Sequence, residues 1–484
     1  MTGIREILKR CGFVLFCIPV LLGPWLFGSW ERWWFWPMAI CLFAATLCLA
    51  IRMLIYTGTQ NNRDLSAGER WRSATKRPQN RLFFACLPFL IYALARFVTA
   101  EVFMDAERSF LLFLTPVLLG IYVFHGLTER QREYLHFLII ADLLLLGVYG
   151  IANHYFTGSE QVLWREGYAD YFNEGRASGS YFCPDHYAGI MGLALCIGMS
   201  QLLSRNCGSG RKLMGGVLCA VALIGICLSK SRGAGITLGV VLIAALVWGF
   251  GQWQLEARIW NRVSATAALA IVMLIVFNTQ SGYMTRFKKY FAWEEAQNST
   301  PREMLATVTA KIKTKSRWRM ISGALRAWKE SRVIGIGPGM HQHLWPRHAA
   351  ATDGDREEGV WPSSLDNYSH SYEVHSDWVQ LLEEYGVVGL LLFLLPVGSV
   401  FWNLRRGLKA ECLWWQRRQH RPRTNNRHPL ILSGILALAW MGVHSLGDFN
   451  LQMPATTWLF AAMISLSLVS AFEAEHRQRT RRRA

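Results

Sequence analysis

The sequence predicts an all-α integral membrane protein of about twelve transmembrane helices, and three observations carry that prediction. Hydrophobic residues make up 52% of the 484-residue chain and charged residues only 17%, against about 25% charged in a soluble protein. Apolar runs of about 20 residues, the length a helix needs to cross a bilayer, recur along the whole chain. The net charge is +18, from 51 Lys and Arg against 33 Asp and Glu, and the basic residues cluster between the apolar runs. In a soluble protein that balance would suggest nucleic acid. Between apolar runs it marks loops left in the cytoplasm, so no nucleic-acid partner is expected. The apolar content excludes disorder.

Spans are predicted near 11–29, 33–51, 82–99, 109–126, 135–153, 187–203, 212–229, 233–252, 263–279, 378–401, 429–447 and 454–471. The first follows Arg5, Lys9 and Arg10 and resembles a signal peptide. It contains Pro19 and Pro24 and lacks a clear small-x-small cleavage site, so it reads as an uncleaved helix. Loop 52–81 holds Arg52, Arg63, Arg70, Arg72, Lys76, Arg77 and Arg81. Loop 402–428 holds Arg405, Arg406, Lys409, Arg417, Arg418, Arg421, Arg423 and Arg427, and the tail ends in Arg477, Arg479, Arg481, Arg482 and Arg483. Twelve spans put all three on the side of the N-terminus, which predicts cytoplasmic termini. The chain then divides into spans 1–9 over 1–279, a large outside loop over 280–377, spans 10–12 over 378–471 and a basic tail over 472–484. A loop that long should have structure of its own. Within it, Arg317–Glu330 reads as a helix with Trp318, Ile321, Leu325 and Trp328 on one face, and Gly335–Gly339 as a break. Most of the eleven cysteines lie in apolar runs. Cys207 and Cys412 lie in basic loops, and only Cys183 falls in a segment placed on the outside face, so no disulfide framework is expected.

The polar residues on the outside face are the candidates for chemistry. Arg232 sits in a short turn between two spans, which fixes it near the bilayer surface. A guanidinium there calls for an anion, and its fork matches phosphate oxygens. A lipid pyrophosphate headgroup would lie at that depth; snorkelling or a protein carboxylate is the competing account. Arg176, Arg317 and Arg319 lie on the same side. His375 precedes a helix running into the tenth span, where a neutral imidazole could take a proton from a sugar hydroxyl, with Asp377 and Glu384 to orient it. His341, His343 and His348 resemble a metal set only loosely. Asp142, in mid-span, keeps a proton-coupled transporter open as an alternative. Arg96 is near a span end and is expected to snorkel. Gly235 and Gly239 suggest a close helix contact, and the Gly335–Gly339 turn could offer amides to phosphate.

Four segments resemble the O-antigen ligase/polymerase (Wzy-C) family. They are the run from His375-Ser376-Asp377-Trp378 through Glu383-Glu384-Tyr385-Gly386 to Gly389-Leu390-Leu391; Arg317 with Gly335-Ile336-Gly337-Pro338-Gly339; Ser231-Arg232-Gly233; and Arg176-Ala177-Ser178-Gly179 with Asp185-His186-Tyr187-Ala188. Ser376, Ile321 and Asp185 stand where the family more often has Asn, Trp and Asn. The resemblance implies a GT-C-type fold whose large periplasmic loop, containing helices, lies between spans 9 and 10. It implies a bacterial inner-membrane glycosyltransferase that moves a glycan from an undecaprenyl diphosphate carrier to an acceptor hydroxyl on the periplasmic face. Inversion, no metal and no cofactor are part of that implication. By the same resemblance His375 is the general base and Arg232 and Arg317 hold the diphosphate. Arg176 is a further phosphate contact, and Glu384, Asp377 and Arg319 support the site. Lipid A-core is the favoured acceptor. A polymerase or a protein O-glycosyltransferase of the same family is the alternative.

Overall fold

A computed structural model describes residues 2–59, 78–167, 175–204, 207–251, 300–313, 316–349, 371–416 and 427–483, with residues 285, 288 and 289. Among these the chain is helical but for turns and one small antiparallel hairpin, in which Gln161–Val162 pairs with Arg165–Glu166. The helices are α1 (Thr2–Cys17), α2 (Arg32–Thr59), α3 (Pro78–Val98), α4 (Phe103–His125), α5 (Glu129–Thr157), α6 (Pro184–Leu203), α7 (Ser209–Ser229) and α8 (Arg232–Gly251). Three shorter ones follow, α9 (Pro301–Lys313), α10 (Ser316–Glu330) and α11 (His341–Ala349). The last are α12 (Asp377–Gln416), α13 (Arg427–His444) and α14 (Pro454–Arg483).

Nine of the described helices are long and apolar enough to cross a membrane: α1 with its extension to Trp25, α2 to α7, α12 and α14. They coincide with nine of the predicted spans. Two more predicted spans are helices that fall short of that measure, α8 with a described apolar stretch Arg232–Ala244 and the 18-residue α13. The span predicted at 263–279 lies outside the described residues, as do most of the basic positions of loops 52–81 and 402–428. The first helix begins at Thr2 rather than near residue 11 and gives way at Ile18–Leu22 to a wider turn around Pro19. A proline has no N–H and clashes with the preceding turn, which accounts for the change of winding.

The core forms around α6, whose residues are buried continuously from Pro184 to Gln201. No polar stripe is needed because neighbours cover it on every side. Close packing there rests on small residues: a Cβ placed on Gly192 would lie 1.7 Å from the Trp440 ring, so α13 can approach only a glycine. Outer helices instead show apolar side chains on the surface, such as Ile91 and Leu94 on α3 and Leu138 and Leu145 on α5, the pattern expected where lipid is the neighbour. Gly239 has nothing within 4 Å of a Cβ position, so the close contact expected of the Gly235/Gly239 pair does not form at that residue.

Helix α12 is broken inside its apolar run. Gly386 adopts φ 67°, ψ −172°, a conformation essentially reserved for glycine. The break frees backbone groups that an unbroken helix would consume. Segment 332–337 takes them: the amides of Ile336 and Gly337 donate to the carbonyls of Glu383 and Glu384 at 2.9 and 3.0 Å. In return the amides of Val387 and Val388 donate to Arg332 and Val333 at 3.0 and 3.1 Å. Arg96 donates to the Gly335 carbonyl at 3.0 Å and Tyr92 to that of Ile334 at 3.0 Å. Arg96 therefore secures this segment instead of snorkelling. The clamp fixes α10 over the end of the bundle. On α10 the buried positions are Gly323, Ala324 and Ala327, with Gly323 against Trp345. Trp318, expected on the packed face, is 40% exposed.

Candidate functional site

Helices alternate in direction, so the starts of α2, α4, α6, α8, α12 and α14 share one end of the bundle with the ends of α5, α7 and α13. Arg176, Asp185, Ser231, His375 and Asp448 meet there. Asp185, on the first turn of α6, accepts Arg176 Nη2 at 2.8 Å through one oxygen and Arg317 Nη2 at 2.5 Å through the other. The Ser231 hydroxyl also donates to it. Arg176 is held further by the Ser229 carbonyl at 2.8 Å and Arg317 by the Gly447 carbonyl at 2.8 Å. Two guanidiniums from segments far apart in the chain are thus set either side of one carboxylate. Arg232 opens α8 beside this group and is half-buried. Its neighbour Gly233 would place a Cβ 3.8 Å from His444 Nε2 and 3.9 Å from Arg317 Nη1.

His375 lies just ahead of α12 with φ 57°, a left-handed conformation that a non-glycine residue adopts at some cost. Ser376 stabilises the turn: its hydroxyl accepts the Val379 amide at 3.4 Å and donates to the Ser445 carbonyl at 3.2 Å. The His375 ring stands edge-on to Phe449 at 4.6 Å. Its Nδ1 is buried without a hydrogen-bond partner among the described residues and lies 3.9 Å from Asp448 Oδ1. Burial first and Arg317 second lower its pKa, Asp448 opposes them, and the result is about 4. The imidazole is therefore neutral at ordinary pH. Asp448 is only 1% exposed and also lies 3.8 Å from His186 Nε2. Asn450 braces it, donating to Asp448 at 3.3 Å and hydrogen-bonded to His444 Nδ1 at 2.8 Å.

The other predicted residues fall elsewhere. Asp377 accepts the Ser445 hydroxyl at 2.6 Å and the Leu451 amide at 3.1 Å, tying the start of α12 to the end of α13 and to the turn that leads into α14. Arg319 is two residues beyond Arg317 on α10, and at about 100° per residue its side chain leaves on a nearly opposite face. Glu384 accepts Gln380 at 3.2 Å and the Gly339 amide, so it holds the glycine turn rather than touching His375 in these contacts. With Ile336, Gly337 and Gly339 amides all donated to α12, the glycine turn has none of them left for phosphate. The loose histidine set also separates. His341 pairs with Glu383 at 2.9 Å and His343 with Asp105 at 2.8 Å. Burial works against charging His341, but Glu383, with Glu373 and Glu384, outweighs it and raises its pKa. Among the described residues no group of three or more His, Cys, Asp or Glu is arranged to hold a metal ion. Asp142 accepts the Trp25 indole at 2.7 Å, a hydrogen bond to a neighbouring segment.

Asp448, His186, His444 and Phe449 were not singled out from the sequence. The available signal was a carboxylate in the short break between two spans at the same end as His375. A family model described as Wzy_C, O-antigen ligase, matches residues 217–394, which takes in Ser231-Arg232-Gly233, Arg317, the glycine turn and the His375 run. No curated protein matches the chain. Over residues 217–394 the chain is similar to the O-antigen ligase family.

Proposed function

We propose that the protein is a bacterial inner-membrane glycosyltransferase, with cytoplasmic termini and its site on the periplasmic face. It moves a glycan from undecaprenyl diphosphate to an acceptor hydroxyl, with lipid A-core the favoured acceptor. The observation that carries the reading is a neutral, partly exposed imidazole set beside two fixed guanidiniums at the end of an apolar helical bundle. His375 takes the proton of the acceptor hydroxyl. The acceptor oxygen forms its bond to the anomeric carbon on the face opposite the leaving group, so the configuration inverts. The bond from that carbon to the diphosphate oxygen breaks, and its electron pair stays on the diphosphate. Arg317, Arg232 and Arg176 offset the charge that develops there, the role that preorganised cations fill. Asp448 stabilises the imidazolium as it forms, and the proton passes later to solvent. An apolar cavity of about 260 Å³ between α3, α4, α12 and α14, lined by Phe89, Phe113, Leu381 and Phe393, supports a lipid-borne substrate.

The test is to mix purified protein with an undecaprenyl-diphosphate-linked glycan and lipid A-core in the presence of EDTA. Ligated product is expected, and it should vanish in His375→Ala while the variant folds and inserts normally. Longer lipid-linked chains would mean a polymerase. Transfer surviving in His375→Ala would remove the histidine from the mechanism.

A further inference from the structure

A second cationic position lies at the same end of the bundle as His375 and is not explained by the diphosphate. Arg108, on the second turn of α4, has its guanidinium over the Trp30 ring at 4.1 Å. Its Nε and Nη2 are buried with no hydrogen-bond partner among the described residues. Glu373 and Asp105 are the negative charges that act on it, but neither accepts a hydrogen bond from these two donors. Asp105 is shared by Arg32 at 2.5 Å and His343 at 2.8 Å, and Glu373 accepts from Gln380. A guanidinium withdrawn from water with two N–H donors unsatisfied is costly, and its fork suits an oxyanion. Trp30 stands edge-on to Phe449 at 6.0 Å, and Phe449 to His375 at 4.6 Å. The route from His375 to Arg108 therefore runs over two aromatic rings, whereas Arg317 and Arg176 are joined through Asp185.

We infer that Arg108 and Trp30 form an anion subsite for the acceptor, recognising a phosphate or carboxylate carried on the sugar that presents its hydroxyl to His375. Aromatic rings pack well against the apolar faces of sugar rings, and the pair Trp30 and Phe449 would carry the sugar between the anion and the base. The assignment of this ligand as the acceptor rests on the transfer reading above; the anion site itself does not.

Binding is read by saturation-transfer NMR on the full-length protein, with glucose 6-phosphate, glucuronate and glucose as probes. Glucose 6-phosphate or glucuronate should give a clearly stronger signal than glucose, and the stronger of the two identifies the anion. In Arg108→Gln that signal should fall about 10-fold, the loss of a charge-assisted hydrogen bond. It should persist in Arg317→Gln and in His375→Ala. Equal signals from all three probes with the unaltered protein, a comparison that needs no variant, would overturn the subsite. So would a signal that survives Arg108→Gln and disappears in Arg317→Gln, which would assign the anion to the diphosphate side. Failure of glycan transfer alone would count against the proposed activity and leave these binding results standing.

Discussion

Asp448→Asn separates the electrostatic role of this carboxylate from its structural one. Asparagine keeps an oxygen for the Phe449 amide, which donates to Asp448 Oδ1 at 2.9 Å, and the backbone bond from Asp377 to the Asp448 carbonyl is untouched. What is lost is the negative charge 3.9 Å from His375 Nδ1. That charge has little effect on the neutral imidazole and stabilises it only as it takes a proton, so the loss falls on the transition state rather than on substrate binding. Two unit charges at that separation interact by about 4 kcal/mol at an effective dielectric of 20. Solvent at the partly exposed ring reduces this, so kcat is expected to fall about 100-fold or more, with KM for donor and acceptor little changed. Without Asp448 to oppose burial and Arg317, the His375 pKa also falls further, moving the acid limb of the pH profile to lower pH. The assay is steady-state transfer by purified protein across pH, with a thermal melt to verify folding. A kcat within about threefold of the parent would refute the stated electrostatic coupling.

Three further outcomes follow from the same geometry. With His375 held at about pKa 4, kcat/KM should rise as pH passes through about 4 and stay level through neutrality; an acid limb near the ordinary histidine value would contradict its burial. Asp185→Asn removes the carboxylate between Arg176 and Arg317, and breaking a buried pair of this kind costs about 3 kcal/mol. A lower melting temperature and weaker donor affinity are expected, and an unchanged melt would show that the pairing is not structural. Gly386→Ala would set a Cβ 2.3 Å from the Val333 carbonyl in a positive-φ conformation. A penalty of about 3 kcal/mol or more should appear as poor folded yield by size-exclusion chromatography, and normal yield would show that the clamp tolerates displacement.

The helices were legible because burial in lipid requires long apolar runs, and nine of them stand where those runs predict. What composition could not reveal was the break at Gly386. Gly386-Val387-Val388 sits in an unbroken apolar stretch, and only the arrival of segment 332–337 from the outside loop shows why a glycine is needed. The same holds for Arg96, whose place near a span end fits snorkelling equally well until its partner, the Gly335 carbonyl, is seen. Asp185 pairs with Arg317 across 132 positions of sequence, a separation no local pattern reports. Asp448 was passed over because it stands alone in a short break, while His375 was noticed through the motif around it. Residues with a local signature were found, and those defined by long-range contact were not.

The clamp at Gly386 gives the site a mechanical dependence that its own residues do not reveal. Arg317 lies on α10, and the chain just beyond α10 is the segment hydrogen-bonded into the break in α12, the helix that His375 precedes. Arg317 and His375, the donor cation and base of the proposed activity, are therefore registered to each other through one run of backbone hydrogen bonds, reinforced by Arg96, Tyr92 and the His341–Glu383 pair at 2.9 Å. Backbone bonds between fixed segments hold position more tightly than long side chains, and misplacement of about 1 Å at a reacting centre costs about 100-fold in rate. On this argument Glu384 and the glycine turn matter to chemistry without touching substrate. Their loss should lower kcat while leaving the pH dependence of His375 unchanged, which distinguishes a residue that positions Arg317 from one that tunes the base.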